Sequence, residues 1–116
     1  MKFRPKVRQK KVPTFSIQDH RTTVGLQPGD RFVIRLPVNL ELGYRWNPDL
    51  PPGLKVVDSW FGPTDLARPF AGGFHYWKIR AIAPGMHFYR ANYRGQNKTG
   101  DILPITFQLQ VDVSPE

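Results

Sequence analysis

Nine residues near the C-terminus constrain the fold most. In Ile105–Val113 the apolar Ile105, Phe107, Leu109, Val111 and Val113 alternate with Thr106, Gln108, Gln110 and Asp112. A period of two puts one set on a core face and the other in water, the signature of a half-buried antiparallel strand. The same alternation recurs upstream. In 31–37, Phe32, Ile34 and Leu36 share a face; in 74–81, Trp77, Ile79 and Ala81 face in while Lys78 and Arg80 face out. In 85–94, Tyr89, Ala91 and Tyr93 oppose Arg90, Asn92 and Arg94. Residues 54–61 read as a further strand, and 15–24 as one or two short edge strands. Twelve prolines and ten glycines cut the chain between these runs. Gln27-Pro28-Gly29-Asp30 and Ala83-Pro84-Gly85 read as turns, because proline presets φ and glycine accepts tight bends. The proline-rich 47–53 is expected to be irregular, since proline removes a donor, and 62–73 to form a long loop. No segment carries a helical period. The expectation is an all-β chain, an antiparallel sandwich or barrel.

A length of 116 residues suits one hydrophobic core. The expected division is a basic, mobile N-terminal arm over 1–14 and a β domain over 15–116. No apolar run approaches the about 20 residues of a membrane helix, so no membrane span is expected. The basic start is not followed by an apolar region of a signal peptide, which leaves a cytoplasmic chain or a processed exported form. There is no cysteine, hence no disulfide, thiolate metal site or thiol nucleophile. Of the 17 basic residues, Lys2, Arg4, Lys6, Arg8, Lys10 and Lys11 lie in the arm; the other 11 face nine acidic residues. The formal charge of +8 is therefore largely a property of the arm, which could bind nucleic acid or an anionic surface by counterion release.

The residues that carry catalysis elsewhere are scattered here. His20, His75 and His87 lie at no metal-ligand spacing and read as surface or strand histidines. Asp30, Asp49, Asp65 and Asp101 fall at expected turns, where a carboxylate caps backbone donors. Nucleophile-elbow, phosphate-loop and dinucleotide motifs are missing. Catalysis, a metal and a cofactor are not expected, and recognition by loops is.

Three loops stand out. Asn39-Leu40-Glu41-Leu42-Gly43-Tyr44-Arg45-Trp46 joins two strand patterns, with Asn39 and Gly43 suited to positive φ and Tyr44 and Trp46 placed to anchor the loop. Ala71-Gly72-Gly73 precedes Phe74. A polar loop over 94–100 follows Tyr93. The double glycine suits either a bend needing positive φ or close approach of the backbone to a partner.

This set resembles the chagasin family of protein inhibitors of papain-like cysteine proteases. The family's asparagine-to-glycine loop with its following aromatic and tryptophan is similar to Asn39, Gly43, Tyr44 and Trp46. Its glycine-rich second loop is similar to Phe70-Ala71-Gly72-Gly73, its next turn to Ala83-Pro84-Gly85, and the tyrosine before its third loop to Tyr93. From about residue 20 to 113 the landmarks keep family order. The tips differ: Leu40, Glu41 and Leu42 replace a proline and two threonines, and Gly95, Gln96 and Asn97 replace an arginine-proline-tryptophan triplet. Phe70 stands in place of a glycine, and Phe74 in place of a small polar residue.

The resemblance implies an immunoglobulin-like antiparallel β-sandwich, acting as a monomer, whose three loops wedge into a protease cleft. The implied contact residues are Asn39, Leu40, Glu41, Leu42 and Gly43; Phe70, Gly72, Gly73 and Phe74; and Arg94, Gly95, Gln96 and Asn97. Two other readings remain at this point. One is a non-inhibitory module that binds another protein through the same loops. The other is nucleic-acid binding through the basic arm, with Arg45, Arg68, Arg90, Arg94 and Lys98 interleaved with Tyr44, Tyr89 and Tyr93.

Overall fold

The computed structural model describes residues 12–38, 45–63, 73–94 and 105–115. Eight strands follow in order: β1 Thr14–Ser16, β2 Thr23–Leu26, β3 Arg31–Val38, β4 Arg45–Asp49, β5 Leu54–Pro63, β6 Gly73–Ala81, β7 Gly85–Arg94 and β8 Ile105–Val113. They form two four-stranded sheets, β1-β3-β6-β5 and β2-β8-β7-β4. The chain is all-β, a sandwich of two layers. No described helix is long and apolar enough to cross a membrane.

Alternation in the sequence becomes the core. Phe32, Ile34 and Leu36 from β3, Ile79 and Ala81 from β6, Tyr89 and Ala91 from β7, and Phe107, Leu109 and Val111 from β8 are all fully buried. Trp46, Leu54, Trp77 and Val113 complete the same cluster. Each strand thus contributes one face to a single apolar layer, the burial that drives sheet-on-sheet packing.

Two pairings are parallel, a departure from the purely antiparallel expectation: β1 with β3 and β2 with β8. The cause is a crossover. A 3-10 turn over Ile17–Asp19, held by the Ser16 N–H donating to the Asp19 carboxylate at 2.8 Å, carries the chain from the first sheet to the second. His20 fixes its landing, because its Nδ1 accepts the Gln108 backbone N–H at 3.0 Å and its ring lies 6.0 Å from Phe107. Arg21 N–H then donates to Gln108 O at 2.7 Å, and Gln110 N–H to Thr22 O at 3.0 Å.

Proline misled the sequence reading at one place. Asn47, Pro48 and Asp49, expected to be irregular, belong to β4 and pair with Asn92, Ala91 and Arg90. β4 is a sheet edge, so only one of its sides needs donors and a proline is tolerated. Likewise β5 reaches Pro63 and β6 begins at Gly73, shortening the loop expected over 62–73; 64–72 lie outside the described residues. β1 starts at Thr14, inside the span expected for the arm, and residues 1–11 are not described.

At the pole away from β3's end, Gly53 is buried under the His87 ring, which a Cβ at that position would overlap. His87 Nε2 lies 2.7 Å from Ala83 O, while Gly53 O accepts the Ile82 N–H at 2.8 Å. Glycine is required there by close approach. The core also holds one polar anomaly: the Tyr89 hydroxyl is buried with no hydrogen-bond partner among the described residues, and burial pushes its ionisation far above the usual phenol range. An unsatisfied buried hydroxyl costs free energy that a phenyl ring avoids. Tyr89→Phe should therefore raise unfolding free energy by about 1 kcal/mol. Urea denaturation of both proteins checks this; a clear loss of stability would show that the hydroxyl is satisfied.

Candidate functional site

The three loops of interest spring from one end of the sandwich. In the first sheet Val38, Gly73 and Pro63, the ends of β3, β6 and β5, stand in one cross-strand row. In the second sheet Arg45 pairs with Arg94, and Tyr93 with Ile105, so the ends of β4, β7 and β8 also share a level. What joins the two levels is Trp46. Its indole Nε1–H donates to Pro37 O at 2.7 Å, spanning from the start of β4 to the end of β3. The ring is buried and lies 4.6 Å from Tyr93 between centroids. A tryptophan buries a large apolar area while its N–H still finds an acceptor, so one side chain serves as both core and strut.

The pole's inner edge is aromatic. His75 on β6 stacks on Trp77 at 3.7 Å between centroids and lies 4.1 Å from Phe61 on β5. Its Nε2 is 3.2 Å from Ser59 Oγ. Burial first, and the Arg45 guanidinium second, hold its pKa below the usual histidine value. On the outer face Arg35 sits 4.3 Å over the Phe74 ring, Phe74 meets Tyr76 edge-on at 6.3 Å, and Tyr76 stacks on Trp60 at 5.3 Å. The Arg35 Nε is buried without a hydrogen-bond partner among the described residues, and the guanidinium lies over the Phe74 ring.

Of the residues singled out from sequence, Gly73 and Phe74 open β6 and Arg94 closes β7. Asn39, Leu40, Glu41, Leu42, Gly43, Phe70, Gly72, Gly95, Gln96 and Asn97 lie outside the described residues. Gly73 has a reason of its own within the fold. A Cβ there would come within 2.8 Å of Gly62 O on β5, so the close approach it permits is to a neighbouring strand. Phe74 is half-buried and committed to Arg35 and Tyr76. The sequence reading took His75 for a surface or strand histidine and Arg45 for part of the first loop stretch and of the nucleic-acid set, without linking the two. It missed Pro37, which contributes a backbone carbonyl that any residue would supply.

The depressed His75 pKa has a definite sign. The folded state resists protonating His75 more than the unfolded chain does, so its contribution is present above the unfolded value near 6.5 and is lost as pH falls through the folded value. The thermal midpoint should fall from pH 7 to pH 5. His75→Phe should flatten that slope and Arg45→Gln should flatten it partly. Equal slopes in all three proteins would remove His75 as the cause.

Solved structures share this architecture. The cysteine protease inhibitor EhICP2 from Entamoeba histolytica superposes with a TM-score of 0.72 at 14% identity, covering 88% of this chain and 94% of that one. The solution structure of amebosin gives 0.70 at 23% identity, covering 90% and 99%. No curated protein sequence matches the chain. A family model, that of the chagasin family peptidase inhibitors I42, matches residues 25–111, from within β2 to within β8. With three-quarters of its length spanned by that model, and with the sandwich to match, the chain belongs to the chagasin family of cysteine protease inhibitors.

Proposed function

We propose that this inhibitor blocks papain-like cysteine proteases by seating three loops in the active-site cleft: Asn39, Leu40, Glu41, Leu42 and Gly43 in the first, Phe70, Gly72, Gly73 and Phe74 at the second, and Arg94, Gly95, Gln96 and Asn97 at the third. The observation that carries the reading is the common pole. Six strand ends meet at one level, and the Trp46 indole ties β4 to β3 beneath the first loop. Loops rooted this way lose their ordering entropy on folding, so less is lost on binding. The first loop lies over the target's catalytic cysteine, with Leu42 nearest to it. It meets the cleft without aligning a scissile bond. The mechanism is occlusion, and no group on the inhibitor reacts.

The tips suit an apolar cleft. Leu40 and Leu42, where the family has a proline and a threonine, flank Glu41 and offer two aliphatic contacts, which favours a target with apolar pockets on both sides of its nucleophile. Assay against a panel of papain-like proteases tests the function directly, and full protease activity throughout with inhibitor in excess would sink it. Leu42→Arg should abolish inhibition with the thermal midpoint unchanged. Trp46→Phe should do something different. It strands the Pro37 carbonyl and loosens the root, costing about 1–2 kcal/mol of stability and weakening inhibition through faster dissociation, though Trp46 lies beneath the tips. Unaltered dissociation in Trp46→Phe would show that the strut does not hold the loops.

A further inference from the structure

We propose that the outward face of the first sheet carries, at the pole away from the loops, a binding cleft for a phosphate ester. Register supplies the first observation. Arg31 on β3, Arg80 on β6 and Lys55 on β5 stand directly opposite one another, and all three are exposed. With neighbouring strands about 4.8 Å apart, three cations share a row about 10 Å wide. Like charges directly opposite one another oppose pairing. The next rows along the face are Val33, Lys78 and Asp58, then Arg35, Tyr76 and Trp60. β3, β5 and β6 carry five cations and one carboxylate, Asp58, one of whose oxygens already accepts the Ser59 N–H at 2.8 Å. Asp30, just before β3, is engaged with the Gln27 N–H at 2.9 Å.

Shape supplies the second observation. The row opens onto a cleft of about 480 Å³ lined by Lys55 and Arg80 together with Pro28, Gly29, Val57 and Ile82. That volume lies in the range of small-molecule sites, and among the described residues no carboxylate lines it. Val57 and Ile82 are 44% and 46% exposed, so the cleft has an apolar wall as well as a cationic one. Val57 is also the extra residue of a β-bulge, where β5 slips register between Val56 and Asp58. Bulges re-aim side chains, and this one breaks the edge strand beside the cleft.

Protection of the sheet edge accounts for Lys55, which lies on the outermost strand. It does not account for Arg80, because β6 is an interior strand paired on both sides at that row. A phosphate ester accounts for all of these features: its oxygens take Lys55 and Arg80 in charge-assisted hydrogen bonds, and the esterified group lies against Pro28, Val57 and Ile82. The site is remote from the loops and independent of protease inhibition.

Calorimetric titration of the full chain with adenosine monophosphate, and separately with inorganic phosphate, tests the proposal and separates an ester from the free ion. One-site binding of the nucleotide is expected, tighter than that of phosphate. Arg80→Gln and Lys55→Gln should each weaken it about tenfold or more, the scale of one charge-assisted hydrogen bond. Ile82→Glu should abolish it, and Lys6→Gln in the arm should leave it unchanged. Without ligand, the two charge-neutralising variants should melt no lower than the parent, because a repulsive row has been relieved. Phosphate binding as tightly as the nucleotide, nucleotide binding unmoved in Arg80→Gln, or binding of heparin or an oligonucleotide with none of the nucleotide would each overturn the proposal.

Discussion

A hydrogen bond from one indole to one carbonyl ties together the ends of the two sheets from which the loops spring. Trp46 Nε1–H to Pro37 O is 2.7 Å long and crosses from the second sheet to the first above a core of packed apolar side chains. Dispersion and apolar burial hold two sheets together without fixing how their ends align, because those forces are non-directional. A directional bond at the rim supplies the alignment. It lies where β3 and β4 face each other across a six-residue connection, so the strands that carry the first loop are held at a set separation. Tyr93, its ring tilted against Trp46 at 4.6 Å between centroids, extends the constraint to β7, whose end carries the third loop. Gly73, within a Cβ's reach of Gly62 O, draws β5 and β6 together beneath the second.

Much of this was legible in the sequence where a period was strong. The alternation of Phe107, Leu109, Val111 and Val113, and of Trp77, Ile79 and Ala81, gave the strands and their buried faces directly. Order and spacing of Asn39, Gly43, Trp46, Gly72, Gly73 and Tyr93 gave the family. What escaped was information stored in pairing. Pro48 looks like a breaker until β4 is known to be an edge. His20 looks isolated until it accepts from Gln108, 88 positions away. The parallel pairings of β1 and β2 depend on a crossover that no local pattern announces.

Charge shows the same limit in another form. Counted along the chain, cations concentrate in residues 2–11 and leave the rest nearly balanced. A count of net charge sums over faces, however, and sums hide segregation. Arg31, Arg35, Lys55, Lys78 and Arg80 come from three strands separated by as many as 49 positions, yet register sets them on one face together with Asp58. The fields that steer ligands depend on this arrangement and not on the total.

The histidines close the argument about chemistry. Each one answers a structural demand: His20 receives a backbone N–H at the crossover, His87 covers Gly53 and reaches Ala83 O, and His75 fills an aromatic stack between Phe61 and Trp77. Imidazole suits these places because it offers a flat apolar face together with a ring nitrogen that can donate or accept. A protein that works by fit and not by reaction can spend such residues on rigidity. Rigidity at the loop roots is in turn what fit requires, since a plug that bends to its socket gives up in entropy what it gains in contact.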